Sequence, residues 1–317
     1  MDAVEIAKKY LKSLEENKEV KVKPIIVDCN PGVDDALALM LLSDNMGMFD
    51  VKLITSCAGP TPIDITTNNV RFFAENFFND IKVAQGSKCA LVKKHIVDPN
   101  LYNGKCGLGK YEITEQTYPV LPNAVEEIAK VLTDTEESVT IVTLGPLTNI
   151  AKVVINYPEL VEKIDCIYSM IGSVDGTGNI TDYSETNSYF DPEAFDIVTK
   201  CGAKLVINPL QLGNEICIQK SSFEKMPENS IGDKIVKVLA DSINNTNQVC
   251  LYEINTILAL VKPDFYTFSP CDINVYTSKE EGGKTVITEN KNGKHLVQKA
   301  VEPKEIKNYI LKALFKN

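Results

Sequence analysis

Histidine is scarce in this chain, only His95 and His295, and the nine cysteines form no Cys-x-x-Cys pair. With no histidines beside the thiols at ligand spacing, a zinc module is excluded as the organising feature. Cys29, Cys57, Cys89, Cys106, Cys166, Cys201, Cys217, Cys250 and Cys271 are scattered, several of them inside apolar runs. That pattern predicts reduced, mostly buried thiols in a cytosolic protein. A lone histidine is most often a surface residue, and neither receives a role. No apolar run approaches the ~20 residues needed to cross a bilayer, and residues 1–20 lack the apolar centre of a secretory signal. Positive charge is in deficit: 33 Lys and Arg stand against 43 Asp and Glu, for a net charge of −10 and a pI of about 4.9. Such a field repels nucleic acid polymers and anionic membranes while leaving a neutral solute unpenalised. Phosphate-binding loops are missing too. The run Gly172–Asn179 is not Gly-x-Gly-x-x-Gly, and Glu281-Gly-Gly-Lys-Thr285 lacks the first glycine of a phosphate loop and reads as a hairpin turn. No repeat, low-complexity tract or linker divides the sequence, which predicts a single domain over residues 1–317, soluble and cytoplasmic.

What is present is a regular alternation of strand-like and helix-like stretches. Apolar runs end at Asp28, Gly59 and Gln85 and recur over 139–144, 164–171 and 204–207, with further strands over 273–277 and 285–289. Helical spacing begins at Asp34, covers 63–78 and 122–132, restarts at Asn149 and Asp191, and returns over 231–244, 254–261 and 303–315. This order predicts an α/β fold: a mostly parallel open sheet, helices on both faces, and an antiparallel C-terminal edge. The carboxyl ends of the first strands then share one edge, so Asp28, Gly59 and Gln85 open onto one crevice. Phe72, Phe73, Phe77 and Phe78 have helical spacing among apolar neighbours and are expected in the core, not as a stacking platform. Residues 3–17 predict an appended amphipathic helix. The stretch 86–120 loses periodicity and is either a lid or binding loop, or a plain surface loop.

The organising stretch is Pro24–Leu42. It predicts a buried strand ending at Asp28, a tight turn at Asn30-Pro31-Gly32 and a helix opening on Asp34-Asp35. Acids in a first turn can simply complement the helix dipole. That explains Asp34 and Asp35, but not Asp28 and Asn30 on the strand side. Three carboxylates in one corner repel unless a cation or many hydroxyl donors sit among them, and a divalent cation is the simplest candidate.

This segment resembles the Asp-x-Asp-Pro-Gly-x-Asp-Asp signature of nucleoside hydrolases, with Asp28, Pro31, Gly32, Asp34 and Asp35 matching and Asn30 in place of the second Asp. Leu144-Gly-Pro-Leu-Thr-Asn149 resembles the family's Thr-Gly-x-Leu-Thr-Asn block. Met170-Ile-Gly172, Asn179, Glu185-Thr-Asn187 and Asp191-Pro-Glu-Ala194 follow in the family's order. The resemblance implies a nucleoside hydrolase-like fold and hydrolysis of the N-glycosidic bond of ribonucleosides to free base and ribose, through an oxocarbenium-like sugar. It implies a calcium ion that binds the attacking water and the ribose 2′- and 3′-hydroxyls. Its ligands would be Asp35, Asn30, the carbonyl of Leu144, and Glu253. Substrate contacts would come from Asp34, Asn179, Glu185, Asn187 and Asn103, in a homodimer or homotetramer serving purine or pyrimidine salvage.

The departures bear on catalysis. Asparagine can ligate through its carbonyl but takes no proton at neutral pH, so Asn30 cannot be the general base of the family pattern. Asp28 is the nearest substitute. Tyr252-Glu253 stand where the family has His-Asp, Pro60 where it has a ribose-contacting Asn, and Asn103 where it has a His. Asn30, Asp28 and Tyr252 are therefore the catalytic candidates. The alternative is a nucleoside- or ribose-binding homologue without turnover.

Overall fold

A computed structural model describes residues 22–93, 106–109, 111–223, 232–233, 236 and 247–315. Strand β1 (Lys23–Cys29) is buried from its second residue onward, as a run of Ile and Val flanked by strands on both sides should be. Helix α1 (Val33–Ser43) follows, with Asp34 and Asp35 in its first turn and an interior free of Gly and Pro. Then come β2 (Phe49–Ser56), α2 (Ile63–Phe77), β3 (Val83–Gln85), α3 (Ala124–Asp134), β4 (Val139–Thr143) and α4 (Thr148–Asn156). Next are β5 (Ile164–Met170), the short α5 (Thr186–Phe190), α6 (Pro192–Lys200), β6 (Leu205–Asn208) and α7 (Leu210–Glu215). The chain continues through β7 (Cys217–Gln219), β8 (Gln248–Cys250), α8 (Ile254–Val261), β9 (Tyr266–Val275), β10 (Thr285–Glu289), β11 (His295–Ala300) and α9 (Pro303–Phe315).

Nine strands form one sheet in the order β10-β9-β11-β6-β5-β4-β1-β2-β3. Six of them, β1 to β6, run parallel, and β11 joins β6 in parallel while pairing antiparallel with β9. Alternate residues of β1 feed the two faces: Ile25 and Val27 enter one core cluster, Ile26 the other. Phe72 and Phe73 are buried in the first, as their spacing predicts. From β1 the order runs outward to β2 and β3 on one side and to β4, β5 and β6 on the other. The carboxyl ends of β1 and β4 therefore flank the crevice where ligands bind in open α/β sheets.

The sequence pattern missed three features. Strand β11 carries a polar, non-alternating stretch and exists because β9 and β6 pair with it on either side. His295, expected on the surface, is buried: its Nδ1 accepts from the Leu205 N–H at 3.3 Å and its Nε2 lies 3.0 Å from the Thr199 carbonyl. It is a peg between β11, β6 and α6. The thiols also depart from expectation. β7 and β8 pair antiparallel in a register that sets Cys217 opposite Cys250, with Cα atoms 3.9 Å apart, and the two are joined in a disulfide across a sequence separation of 33. The other seven cysteines are free.

The 277–284 turn between β9 and β10 is the predicted hairpin, closed by the Tyr276 N–H to the Lys284 carbonyl and by Gly283 at φ +92°. The described parts of 86–120 contain neither helix nor strand. The expected helix over 3–17, His95, Asn103 and most of the expected 231–244 helix lie outside the described residues.

Candidate functional site

Asp28 lies near the end of β1 and is fully buried. Its Oδ1 accepts from Thr55 Oγ1 at 2.5 Å and from Asn149 Nδ2 at 2.7 Å, while its Oδ2 has no partner. Asn149, in the first turn of α4, also donates to the Ser56 carbonyl at 3.0 Å and accepts from the Ser87 N–H at 2.9 Å. One amide thus joins the ends of β1 and β2 to the residues following β3. Gly86 makes this possible, because a Cβ there would sit 2.2 Å from the Ser56 carbonyl and 2.3 Å from the Asn149 amide. Two residues beyond Asp28, Asn30 is wedged between two loops. A Cβ on Gly59 would come within 2.4 Å of its Nδ2, and one on Gly145 within 2.3 Å of its Oδ1. That Oδ1 is buried and unpartnered.

Asp35 reaches back from α1 and accepts the backbone N–H groups of Asn30 and Gly32, each at 3.3 Å, which fixes the turn. Asn69 clamps the same turn to the 86–120 stretch by donating to the carbonyls of Pro31 at 2.9 Å and Cys106 at 3.0 Å. Asp34 Oδ1 is unpartnered, as is Oε2 of Glu253, which precedes α8. Because α8 packs on α1, Glu253 is brought to Asp34 and Asp35. Of nine buried unpartnered side-chain atoms among the described residues, four belong to this corner: Asp28 Oδ2, Asn30 Oδ1, Asp34 Oδ1 and Glu253 Oε2. Burial lifts the Asp28 carboxyl to about 6, against the hydrogen bonds from Thr55 and Asn149. Burial lifts Asp35 and Asp34 to about 7, the latter helped by the Asp35 charge. Glu253 rises well above its ordinary value through burial and then through Asp34 and Asp35. No Lys or Arg among the described residues pairs with any of the four acids.

Beside it, Leu144, just past β4, donates its N–H to the Asp28 carbonyl at 2.9 Å, and Asn187 Nδ2 donates to the carbonyl of Leu144 at 2.9 Å and to that of Met170, at the end of β5, at 3.0 Å. Its donors are thereby used, and its Oδ1 remains to accept. Glu185 caps α5, taking the N–H groups of Asn187, Ser188 and Gly172 at 2.7, 3.0 and 2.8 Å. Burial still raises it to about 7. Asn179 is exposed, and its Oδ1 accepts the Thr186 N–H and hydroxyl, both at 3.0 Å, which fixes the turn before α5. Tyr252 is half-buried against Gly213, and its hydroxyl donates to Asn214 Oδ1 at 2.8 Å. Burial, with the charges of Asp34, Glu253 and Glu185 nearby, pushes it up to about 12. The structure thus gathers Asp28, Asn30, Asp34, Asp35, Glu253 and Tyr252 at one corner, joins Leu144 to it through the Leu144 N–H on the Asp28 carbonyl at 2.9 Å, and attaches Asn187 and Glu185 through the Leu144 carbonyl. Asn149, Asn208 and Asn214 carry the supporting contacts that sequence reasoning did not assign. Only Asn149 had a local signal, its place in a Thr-Asn pair opening a helix.

The corner's donor set is suited to a hard cation. Asp35, Glu253, Asn30 Oδ1 and the Leu144 carbonyl offer oxygen only, and two of these oxygens are buried without a partner. No cluster of three or more His, Cys, Asp or Glu among the described residues forms a metal cage. The set named here contains only two acids, so an amide and a backbone carbonyl must complete it.

The family model for inosine-uridine preferring nucleoside hydrolases matches residues 25–309. The chain is 33% identical over 279 residues to pyrimidine-specific ribonucleoside hydrolase RihA of Photobacterium profundum, covering 84% of this chain and 88% of that protein. It is 31% identical over 270 residues to non-specific ribonucleoside hydrolase RihC of Salmonella paratyphi C, covering 83% and 87%. Among solved structures, a purine-preferring ribonucleoside hydrolase from Gardnerella vaginalis superimposes with a TM-score of 0.83 at 23% identity, covering 93% of this chain and 98% of that one.

Proposed function

Because the chain belongs to the inosine-uridine preferring nucleoside hydrolase family, we propose that its β1–α1 corner binds a ribonucleoside and hydrolyses the N-glycosidic bond, releasing base and ribose. The observation that carries this reading is that four residues of the corner, Asp28, Asn30, Asp34 and Glu253, each bury a side-chain oxygen that no protein donor satisfies, beside the crevice between β1 and β4. Asp35, Glu253, Asn30 Oδ1 and the Leu144 carbonyl are the groups that would hold calcium, which when bound would neutralise the corner, gather the sugar diol and acidify water. Asp34, with Oδ1 free, accepts a ribose hydroxyl. Asn187, its amide protons already spent, accepts a second through Oδ1. Glu185 fixes the Asn187 backbone and so keeps that amide in place. The surrounding carboxylates stabilise positive charge developing on the sugar.

The proton of the attacking water needs an acceptor, and the Asn30 amide is not one. Asp28 supplies it through Oδ2, on the same side of the chain two residues earlier. The relatives' names differ on base preference, and none is carried over. A panel of purine and pyrimidine ribonucleosides, assayed for free ribose with calcium and with chelator, tests the reading. Calcium-dependent ribose release is expected, and Asp28→Asn should abolish it. Nucleoside binding by calorimetry without ribose release would instead favour the homologue without turnover, to which Asn30 lends support. Full turnover in Asp28→Asn would remove Asp28 from its role.

A further inference from the structure

Tyr252 occupies the position where a leaving-base donor would be sought, yet its geometry is that of an acceptor. A phenol has one proton, and here it is directed to Asn214 Oδ1 at 2.8 Å. The ring is held where its hydroxyl keeps this partner. It lies on Gly213 so closely that a Cβ there would be 2.0 Å from ring Cδ1. The Tyr252 carbonyl is held by Asn208 Nδ2 at 2.7 Å, and the same amide group donates to Thr256 Oγ1 at 2.9 Å. Two residues upstream, Cys250 is tied to Cys217.

Asn214 is exposed, but the helix that carries it is held. It belongs to α7, and α7 is stapled to the glycine-rich loop by Gln211. That side chain accepts from the Val174 N–H at 3.0 Å and donates to Ser173 Oγ at 2.8 Å and Asp175 Oδ1 at 2.7 Å. What the phenol retains for a ligand is an oxygen lone pair, among the carboxylates that the preceding reading places around the sugar.

We propose that Tyr252 accepts a hydrogen bond from an O–H or N–H of the bound nucleoside and does not protonate the leaving base, with Asn214 as the positioning residue that sets this polarity. The inference rests on the nucleoside-binding reading but not on turnover. It also separates Tyr252 from the chemical step, so that removing its hydroxyl weakens binding and leaves bond cleavage alone.

The test uses the full chain with calcium, uridine, cytidine and 5′-deoxyuridine as ligands, and both Kd by calorimetry and KM and kcat by ribose release. Tyr252→Phe should raise Kd and KM for uridine about three- to tenfold, the worth of one hydrogen bond, with kcat within about twofold. If the donor is the 5′-hydroxyl, 5′-deoxyuridine loses this sensitivity; if it is a base N–H, that analogue keeps it and uridine and cytidine differ. In an Asn214→Asp background, whose carboxylate can only accept, Tyr252→Phe should still raise Kd about three- to tenfold, and Asn214→Leu alone should reproduce Tyr252→Phe. The proposal is overturned if Tyr252→Phe leaves every Kd unchanged. It is equally overturned if kcat for uridine drops about a hundredfold while p-nitrophenyl riboside, whose leaving group needs no proton, is cleaved normally. A wild type that binds uridine without releasing ribose refutes hydrolysis alone, and the Kd comparison still decides the role of Tyr252. A wild type that binds no nucleoside overturns both.

Discussion

Stripped of calcium, the protein should lose stability as pH rises through the acid range, and calcium should restore it. Burial lifts Asp28 from 3.8 to about 6 and Asp34 and Asp35 to about 7. A folded pKa above the unfolded one means that the folded state holds protons which the unfolded state has already released. Stability is therefore level well below 3.8, where both states are protonated, falls as pH rises past 3.8, and levels again above about 7, where the penalty is constant. One pKa unit is worth about 1.4 kcal/mol. From pH 5 to pH 8, Asp28 passes through about one unit of its shift, and the Asp34–Asp35 pair, counted once because each charge feeds the other, through about two. The differential is on the order of 4 kcal/mol. An unfolding entropy of about 2.1 cal/mol/K per residue converts this to about 6 °C for a chain of this length. Thermal denaturation in chelator and in saturating calcium, at both pH values, measures it. The calcium-induced rise in Tm should be about 6 °C larger at pH 8 than at pH 5, and Asp34→Asn should shrink the difference. Equal shifts at both pH values, or an Asp34→Asn protein with an unchanged profile, would refute the argument that these acids are buried without compensation.

Four other outcomes follow from the same geometry. Asn30→Asp adds a second titratable acceptor beside one that Asp28 already supplies, so the rate of ribose release should stay within about threefold; a rise of about a hundredfold or more would show that Asp28 does not take the proton. Glu253→Gln removes one of two candidate acidic ligands, and calorimetric titration should find calcium affinity reduced by at least about tenfold. Asn149→Leu orphans Asp28 Oδ1, the Ser56 carbonyl and the Ser87 N–H in part or whole, at about 1–3 kcal/mol each. A total loss of about 3–5 kcal/mol should appear as a lower urea midpoint, and a loss under about 1 kcal/mol would count against the three-way junction. Alkylation of the denatured protein, read by mass spectrometry, should label seven cysteines before reduction and nine after it.

The β1–α1 corner was legible because its determinants are local: an apolar run, a Pro-Gly turn and an acidic first turn within nineteen residues of sequence, Pro24–Leu42. The Asp191 cap of α6 was legible for the same reason, its carboxylate accepting the Ala194 N–H at 3.1 Å. Elements that depend on partners distant in sequence were not. β11 is a strand by virtue of β6 and β9, and nothing in Cys217 or Cys250 alone says that β7 and β8 will set them face to face. At the site, the chemical limit on Asn30 could be read from its side chain. Its confinement could not, since Gly59 and Gly145 come from two other loops. The hydrogen bonds of Asn179 to Thr186 and of Tyr252 to Asn214 depend on which neighbour donates and which accepts, and spacing does not encode that.

The Cys217–Cys250 bond closes everything between its ends into a covalent ring whose neck stands immediately before Tyr252 and Glu253. Such a neck fixes the separation of the ends of β7 and β8, and Phe223 and Val236 inside the ring are buried in the same core cluster as β1 and α1, so the described part of the ring is held by packing as well as by the bond.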